Sequence, residues 1–208
     1  MPQPLSRYLA AARSWLPFVA LLGVTQCIAG PIWIPSGSML PTMQVGDVLF
    51  VNRVAYNFHL PLVSTAEVAR WKAPARGDVV VFNAPSQASS AEALFIKRVA
   101  AVAGDTIEVR NQRIILNGQP AQYEQHPASA PTEQLGGVRH PVSLAPSPLA
   151  NFGPYTVPAG HVFVLGDNRD NSADSRVWGP LALERVRGKA VYRLAGLNPS
   201  QLRAPGAL

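Results

Sequence analysis

The chain has 208 residues, enough for one ordinary domain once an N-terminal segment is set aside, and its 48% hydrophobic content is sufficient for a core. Its 20 prolines and 16 glycines favour frequent turns over long helices, and its net charge of +6 suits contact with anionic phospholipid. The basic residues are scattered rather than gathered into an arm, which argues against nucleic acid as a partner; the single cysteine, Cys27, excludes an intrachain disulfide and a cysteine-built zinc site.

The first element is the apolar run Trp15 to Ile34. Its 20 residues would make a helix about 30 Å long, enough to cross a bilayer. Trp15 and Trp33 bracket it as interfacial aromatics do. Arg7 and Arg13 precede it, and no lysine or arginine follows until Arg53. That asymmetry places residues 1–14 in the cytoplasm, 15–34 in the plasma (inner) membrane as a single-pass anchor, and the rest on the outer or periplasmic side. A cleaved signal peptide, with Cys27 and Ala29 before Gly30, and a buried helix are the competing readings.

Directly after the run comes Pro35-Ser36-Gly37-Ser38-Met39-Leu40-Pro41-Thr42. Ser38 stands at most about 13 Å of extended chain from the apolar segment. If that segment spans a bilayer, chemistry at Ser38 takes place at the membrane surface.

Residues 35–198 read as an exported, mainly β domain. Strands are predicted at 47–54, 78–82, 161–165 and 188–194, with a hairpin formed by 106–110 and 112–116 and a further turn at Asn117-Gly118. Many short strands separated by turn residues predict folded-over antiparallel β-sheets or a partial barrel. The stretch 120–158, rich in proline, alanine and serine, is predicted as a loop or small insert, and 199–208 as an unstructured tail.

In Leu94-Phe95-Ile96-Lys97-Arg98-Val99-Ala100, strand alternation puts Lys97 on the face of Phe95 and Val99. An ammonium among apolar neighbours is poorly solvated. Its pKa falls towards neutrality, and the free amine can take a proton from a serine. The bland alternative is a lysine whose head reaches water at a sheet edge.

The loop Gly166-Asp167-Asn168-Arg169-Asp170-Asn171-Ser172-Ala173-Asp174-Ser175-Arg176 follows a strand directly. Its polar side chains suit turns that bond their own backbone. Read as a calcium loop it lacks the glycine and the terminal acid at the required offsets. His59, His126, His140 and His161 have no ligand spacing and read as surface or loop residues, so neither a metal nor a cofactor is expected.

Taken together and in order, the apolar segment, Ser36-Gly37-Ser38-Met39-Leu40-Pro41-Thr42, Arg76-Gly77-Asp78 opening a strand, Ile96-Lys97-Arg98 and the Gly166–Arg176 loop resemble type I signal peptidase, the bacterial leader peptidase family. Arg76-Gly77-Asp78 is also an integrin-type tripeptide, but it opens a strand that reads as buried. The resemblance implies a serine endopeptidase that removes N-terminal signal peptides from exported pre-proteins. It implies Ser38 as nucleophile, Lys97 as general base, and Ser36 with the Ser38 amide as the oxyanion hole. It further implies Ser172 orienting the lysine, Asp174 and Arg176 as an ion pair beneath the site, and Met39 in the substrate-binding surface. Small side chains at the first and third positions before the scissile bond are expected. None of the matched segments holds a histidine, so a Ser/Lys pair is the form of nucleophile activation open to them. The alternatives are a specialised processing peptidase (conjugation-associated or mitochondrial inner-membrane), an inactive binding relative, and a Ser/Lys self-cleaving repressor. The last would need a DNA-binding helix pair where the apolar segment stands.

Overall fold

The computed structural model describes residues 28–59, 67–89, 93–196 and 206–208. Its strands, in chain order, are β1 (Ala29–Trp33), β2 (Asp47–Asn52), β3 (Asn57–His59), β4 (Glu67–Arg70), β5 (Val79–Asn83), β6 (Leu94–Val102), β7 (Thr106–Arg110), β8 (Arg113–Leu116), β9 (Gln119–Pro120), β10 (Gln122–His126), β11 (Ser129–Leu135), β12 (Val138–Pro141), β13 (Phe152–Thr156), β14 (His161–Leu165), β15 (Leu181–Ala182), β16 (Val186–Gly196) and β17 (Gly206–Ala207). A short α-helix, α1, covers Ser175–Trp178, and a single 3-10 turn covers Leu183–Arg185.

The main sheet runs β1-β2-β16-β5-β6-β14-β15, with β17 on β16, and every strand pair in it is antiparallel. Smaller sheets are β10-β11-β12, β13-β7-β8-β9 and the ribbon β3-β4. Strand β5 shows how the sequence builds the core. Val79 and Val81 enter one hydrophobic cluster with Met39, Met43, Leu49 and Ile96, while Val80 and Phe82 enter a second with Val99, Val164 and Leu181. A continuous β-branched run is what a strand covered on both faces requires. A third cluster, around Ile107, Val109, Ile114 and Phe163, packs beneath the hairpin β7-β8.

Three expectations change. Most of the anchor at 15–34 lies outside the described residues, but Ala29–Trp33, its far end, is strand β1 paired with β2. Gly30 and Pro31 oppose a helix there, and proline, lacking an N–H, is tolerated on an edge strand such as β1. No helix among the described residues is long and apolar enough to cross a membrane. The segment 120–158, expected as loop or small insert, is largely strand, β10 to β13. Its prolines misled the reading: Pro131 and Pro154 fall at register shifts and Pro141 on an edge strand, the positions where a sheet accepts them. Within the expected tail, Gly206–Ala207 pairs with Tyr192 and Arg193 of β16.

Candidate active site

Ser38 sits in the turn between β1 and β2. The turn is closed by main-chain bonds from Leu40 N to Gly37 O (3.1 Å), Met43 N to Met39 O (2.9 Å) and Gly46 N to Ile34 O (2.9 Å). Met39 and Met43, both fully buried at 0% exposure, pin it to the core. The unbranched Met39 side chain fills the core under the turn, next to the partly buried Ser38, while Ser36 is exposed.

The strand β6 brings Lys97 to this turn. Its register against β5 pairs Lys97 with Val80, and its Nζ lies 5.6 Å from the Phe95 ring centre, so its surroundings are apolar. Lys97 Nζ donates to Ser38 Oγ at 2.7 Å and to Ile96 O at 3.0 Å. Lys97 is only 4% exposed. Burial pulls its pKa down from 10.5 to about 8, with the negative charges of Asp174 and Asp167 opposing the fall. Ser36 Oγ lies 3.3 Å from Ser38 Oγ, on the exposed side.

The loop after β14 clamps the turn from below. Asn168 N donates to Ser38 O at 3.1 Å, and Asn168 Nδ2 to Gly37 O at 3.0 Å. Thr42 Oγ1 donates to Asp167 Oδ2 at 2.6 Å. Asp174 caps α1, accepts from Gly166 N at 3.0 Å, and forms a two-toothed pair with Arg176 (Nε at 2.9 Å, Nη2 at 2.8 Å). Ser172 is 6% exposed, and its Oγ has no hydrogen-bond partner among the described residues; it lies against Gly166 rather than bonded to Lys97. A Cβ on Gly166 would stand 2.3 Å from Ser172 Oγ and 2.5 Å from Ser38 O, so only glycine lets the loop approach the Ser38 backbone.

Several residues that hold the site were not found by the sequence reading. Arg98 is 2% exposed and grips Asp167 through Nε (2.9 Å) and Nη2 (2.8 Å), with Nη1 on Gly77 O (2.8 Å). Its carboxylate partner is held below the usual range: the Arg98 charge and bonds outweigh the opposing effect of burial. Arg169 forms a second buried pair with Glu133 of β11. His140, expected at the surface, is 3% exposed; its Nε2 lies 3.2 Å from Glu133 Oε2 and 3.6 Å from Asp167 Oδ1, linking the two pairs. The signal available was position alone: Arg98 alternates with Lys97 in an otherwise apolar strand, and such a cation needs a buried partner. The Arg76-Gly77-Asp78 tripeptide is folded inward, Arg76 onto Asp105 and Asp78 onto Tyr56 and Lys189. Among the described residues no group of histidine, cysteine or acidic side chains could hold a metal ion.

A hydroxyl bonded to a buried amine, with a second hydroxyl beside it, is a residue pattern suited to acyl transfer. Comparison with known proteins agrees. The model of the family described as signal peptidase, peptidase S26, matches residues 8–195. The chain is 39% identical over 170 residues to a probable signal peptidase I-1 of Synechocystis, covering 80% of this chain and 71% of that one. It is 36% identical over 188 residues to a signal peptidase I of Leptolyngbya laminosa, covering 88% and 77%. It is also 36% identical over 166 residues to a thylakoidal processing peptidase of Arabidopsis thaliana, covering 80% of this chain and 42% of that one. With nearly its whole length matched, this chain belongs to the signal peptidase family, peptidase S26.

Proposed function

We propose that this chain is a membrane-bound serine endopeptidase that removes N-terminal signal peptides from exported pre-proteins through a Ser38/Lys97 dyad. The observation that carries the reading is the 2.7 Å bond between the buried Lys97 Nζ and the partly exposed Ser38 Oγ. The neutral amine takes the Ser38 proton as Oγ attacks the scissile carbonyl. Ser38 N–H and Ser36 O–H stabilise the resulting oxyanion. The C–N bond then breaks, the Lys97 ammonium protonates the leaving amine, and an ester remains on Ser38. A water deprotonated by Lys97 hydrolyses the ester and returns Ser38 to its starting state. The Ser172 hydroxyl, buried beside Gly166 and with no bond of its own among the described residues, is the family's candidate for orienting the lysine amine during these transfers. Asp174 and Arg176 keep the loop in place. The apolar segment 15–34 supplies the anchor through its N-terminal part, so that cleavage occurs beside the bilayer.

The reading is tested by giving the purified chain a synthetic pre-protein with alanine at the first and third positions before the bond, and following cleavage by mass. The rate should rise with pH along a single limb centred at about 8, because the active form is the deprotonated amine and burial has lowered its pKa. A limb centred near 10.5 would show an unperturbed lysine and remove Lys97 as the base. Gly166→Ala should fold and lose about 10²-fold in kcat, since a shift of about 1 Å at the nucleophile costs that much. Its unfolding midpoint and its kcat, measured together, separate this from global damage; a wild-type kcat would show that the loop does not set the position of Ser38.

A further inference from the structure

The Ser38 turn is flanked by two unlike surfaces. The strands β1 and β2 and the turn that joins them leave Trp33 (58%), Val45 (49%) and Phe50 (38%) exposed beside it, an apolar flank. Past Ser38 lies a cleft of about 430 Å³, walled by Leu40 and Pro41 of the turn, Pro131 of β11, and Leu144, Asn168 and Asp170. Asn168 and Asp170 bring polar groups to its otherwise largely apolar wall. Asn168 is 7% exposed, its Nδ2 is spent on Gly37 O, and its Oδ1 has no partner among the described residues. Asp170 is half-buried, accepts from Ser143 Oγ at 2.8 Å, and takes part in no ion pair among the described residues. The neighbouring Arg169 points away, into its pair with Glu133.

Acyl transfer at Ser38 splits the substrate into two halves that need different surroundings. The half that becomes the ester continues into an apolar signal segment, which suits the flank carrying Trp33 and Phe50. The other half leaves as a polar chain with a new amino group. We propose that the cleft between Leu40-Pro41 and Asn168–Asp170 holds the first residues after the scissile bond, and that Asp170 makes it select cationic over acidic side chains there. The inference rests on Ser38 being the nucleophile. Asp170 is a specificity-determining residue in this scheme and takes no part in the bond-making steps.

The chain's net charge of +6 favours acidic peptides by long-range attraction, so a preference for cations would isolate the local effect of Asp170. The test uses peptides identical but for lysine, glutamine or glutamate at the second and third positions after the bond. The wild-type chain should cleave the lysine peptides with kcat/KM about fivefold above the glutamate ones, the scale of a partly exposed charge pair. Asp170→Asn should bring that ratio below about twofold, and Leu144→Arg should invert it, because a cation then occupies the cleft wall. The same ranking should appear as binding affinities to the Ser38→Ala chain, measured by fluorescence anisotropy, so a poorly active Asp170→Asn still reports. Cleavage with no charge preference, or a preference that both variants leave unchanged, overturns the inference and leaves the proposed function standing. Charge-ranked binding without cleavage of any peptide would instead overturn the proposed function and keep the cleft as a peptide site.

Discussion

Replacing Lys97 by alanine should lower turnover by about 10⁴-fold while the protein stays folded. The serine hydroxyl then has no base within reach, since Lys97 Nζ is the only side-chain amine bonded to it among the described residues. Stability should hold or rise, because the substitution removes a cation that burial already disfavours. Ser38→Ala should be equally inactive, and the two changes together no worse than either alone, as for groups that act as one unit. Ser36→Ala should cost less, about 10²-fold, because the Ser38 amide remains as a donor. Circular dichroism with the mass-based cleavage assay decides all four. Near-normal cleavage by Lys97→Ala would dismiss the dyad.

The largest effect on stability is expected from Arg98→Met. It leaves Asp167 buried at 0% exposure without its main counter-charge, a loss of about 3–5 kcal/mol. Urea unfolding would read this as a lower midpoint at unchanged slope, and Arg98→Met with Asp167→Asn should recover part of it. A midpoint unchanged by Arg98→Met would mean that the pair contributes nothing. The same geometry sets an acid limit. Asp167 and Glu133 are both held below the ordinary carboxylate range by their arginines. Their contribution is complete above the unfolded-state pKa of about 4 and is lost as pH falls through the lower native values, where the unfolded chain binds more protons.

The sequence made the central strands readable because burial on both faces demands an unbroken β-branched run, as in Val79-Val80-Val81-Phe82. Strands β7 and β14 fell where turn residues and alternation put them. Strand β1 was obscured because Gly30-Pro31-Ile32-Trp33 continues the composition of the apolar run before it. In the sheet β10-β11-β12 the strands are polar on one face and carry prolines, so their pairing rests on partners that local pattern does not reveal. At the site, Ser38, Lys97 and the Gly166–Arg176 loop were legible as residue types suited to the chemistry. Thr42, Arg98, Glu133 and His140 were not, for they act through contacts with distant segments. Arg98 and its partner Asp167 are 69 positions apart, and nothing around either residue names the other.

That separation has a consequence for how the enzyme comes into being. Ser38 meets Lys97 across 59 positions, Thr42 meets Asp167 across 125, and Gly37 meets Asn168 across 131. Contacts this remote form only after the intervening chain has been made, and each bears the entropic cost of closing a long loop. A ribosome therefore releases most of the polypeptide before these contacts can exist, and a chain cut short ahead of residue 166 lacks the clamp on the Ser38 turn altogether. Assembly of the centre is thus tied by topology to near-completion of synthesis.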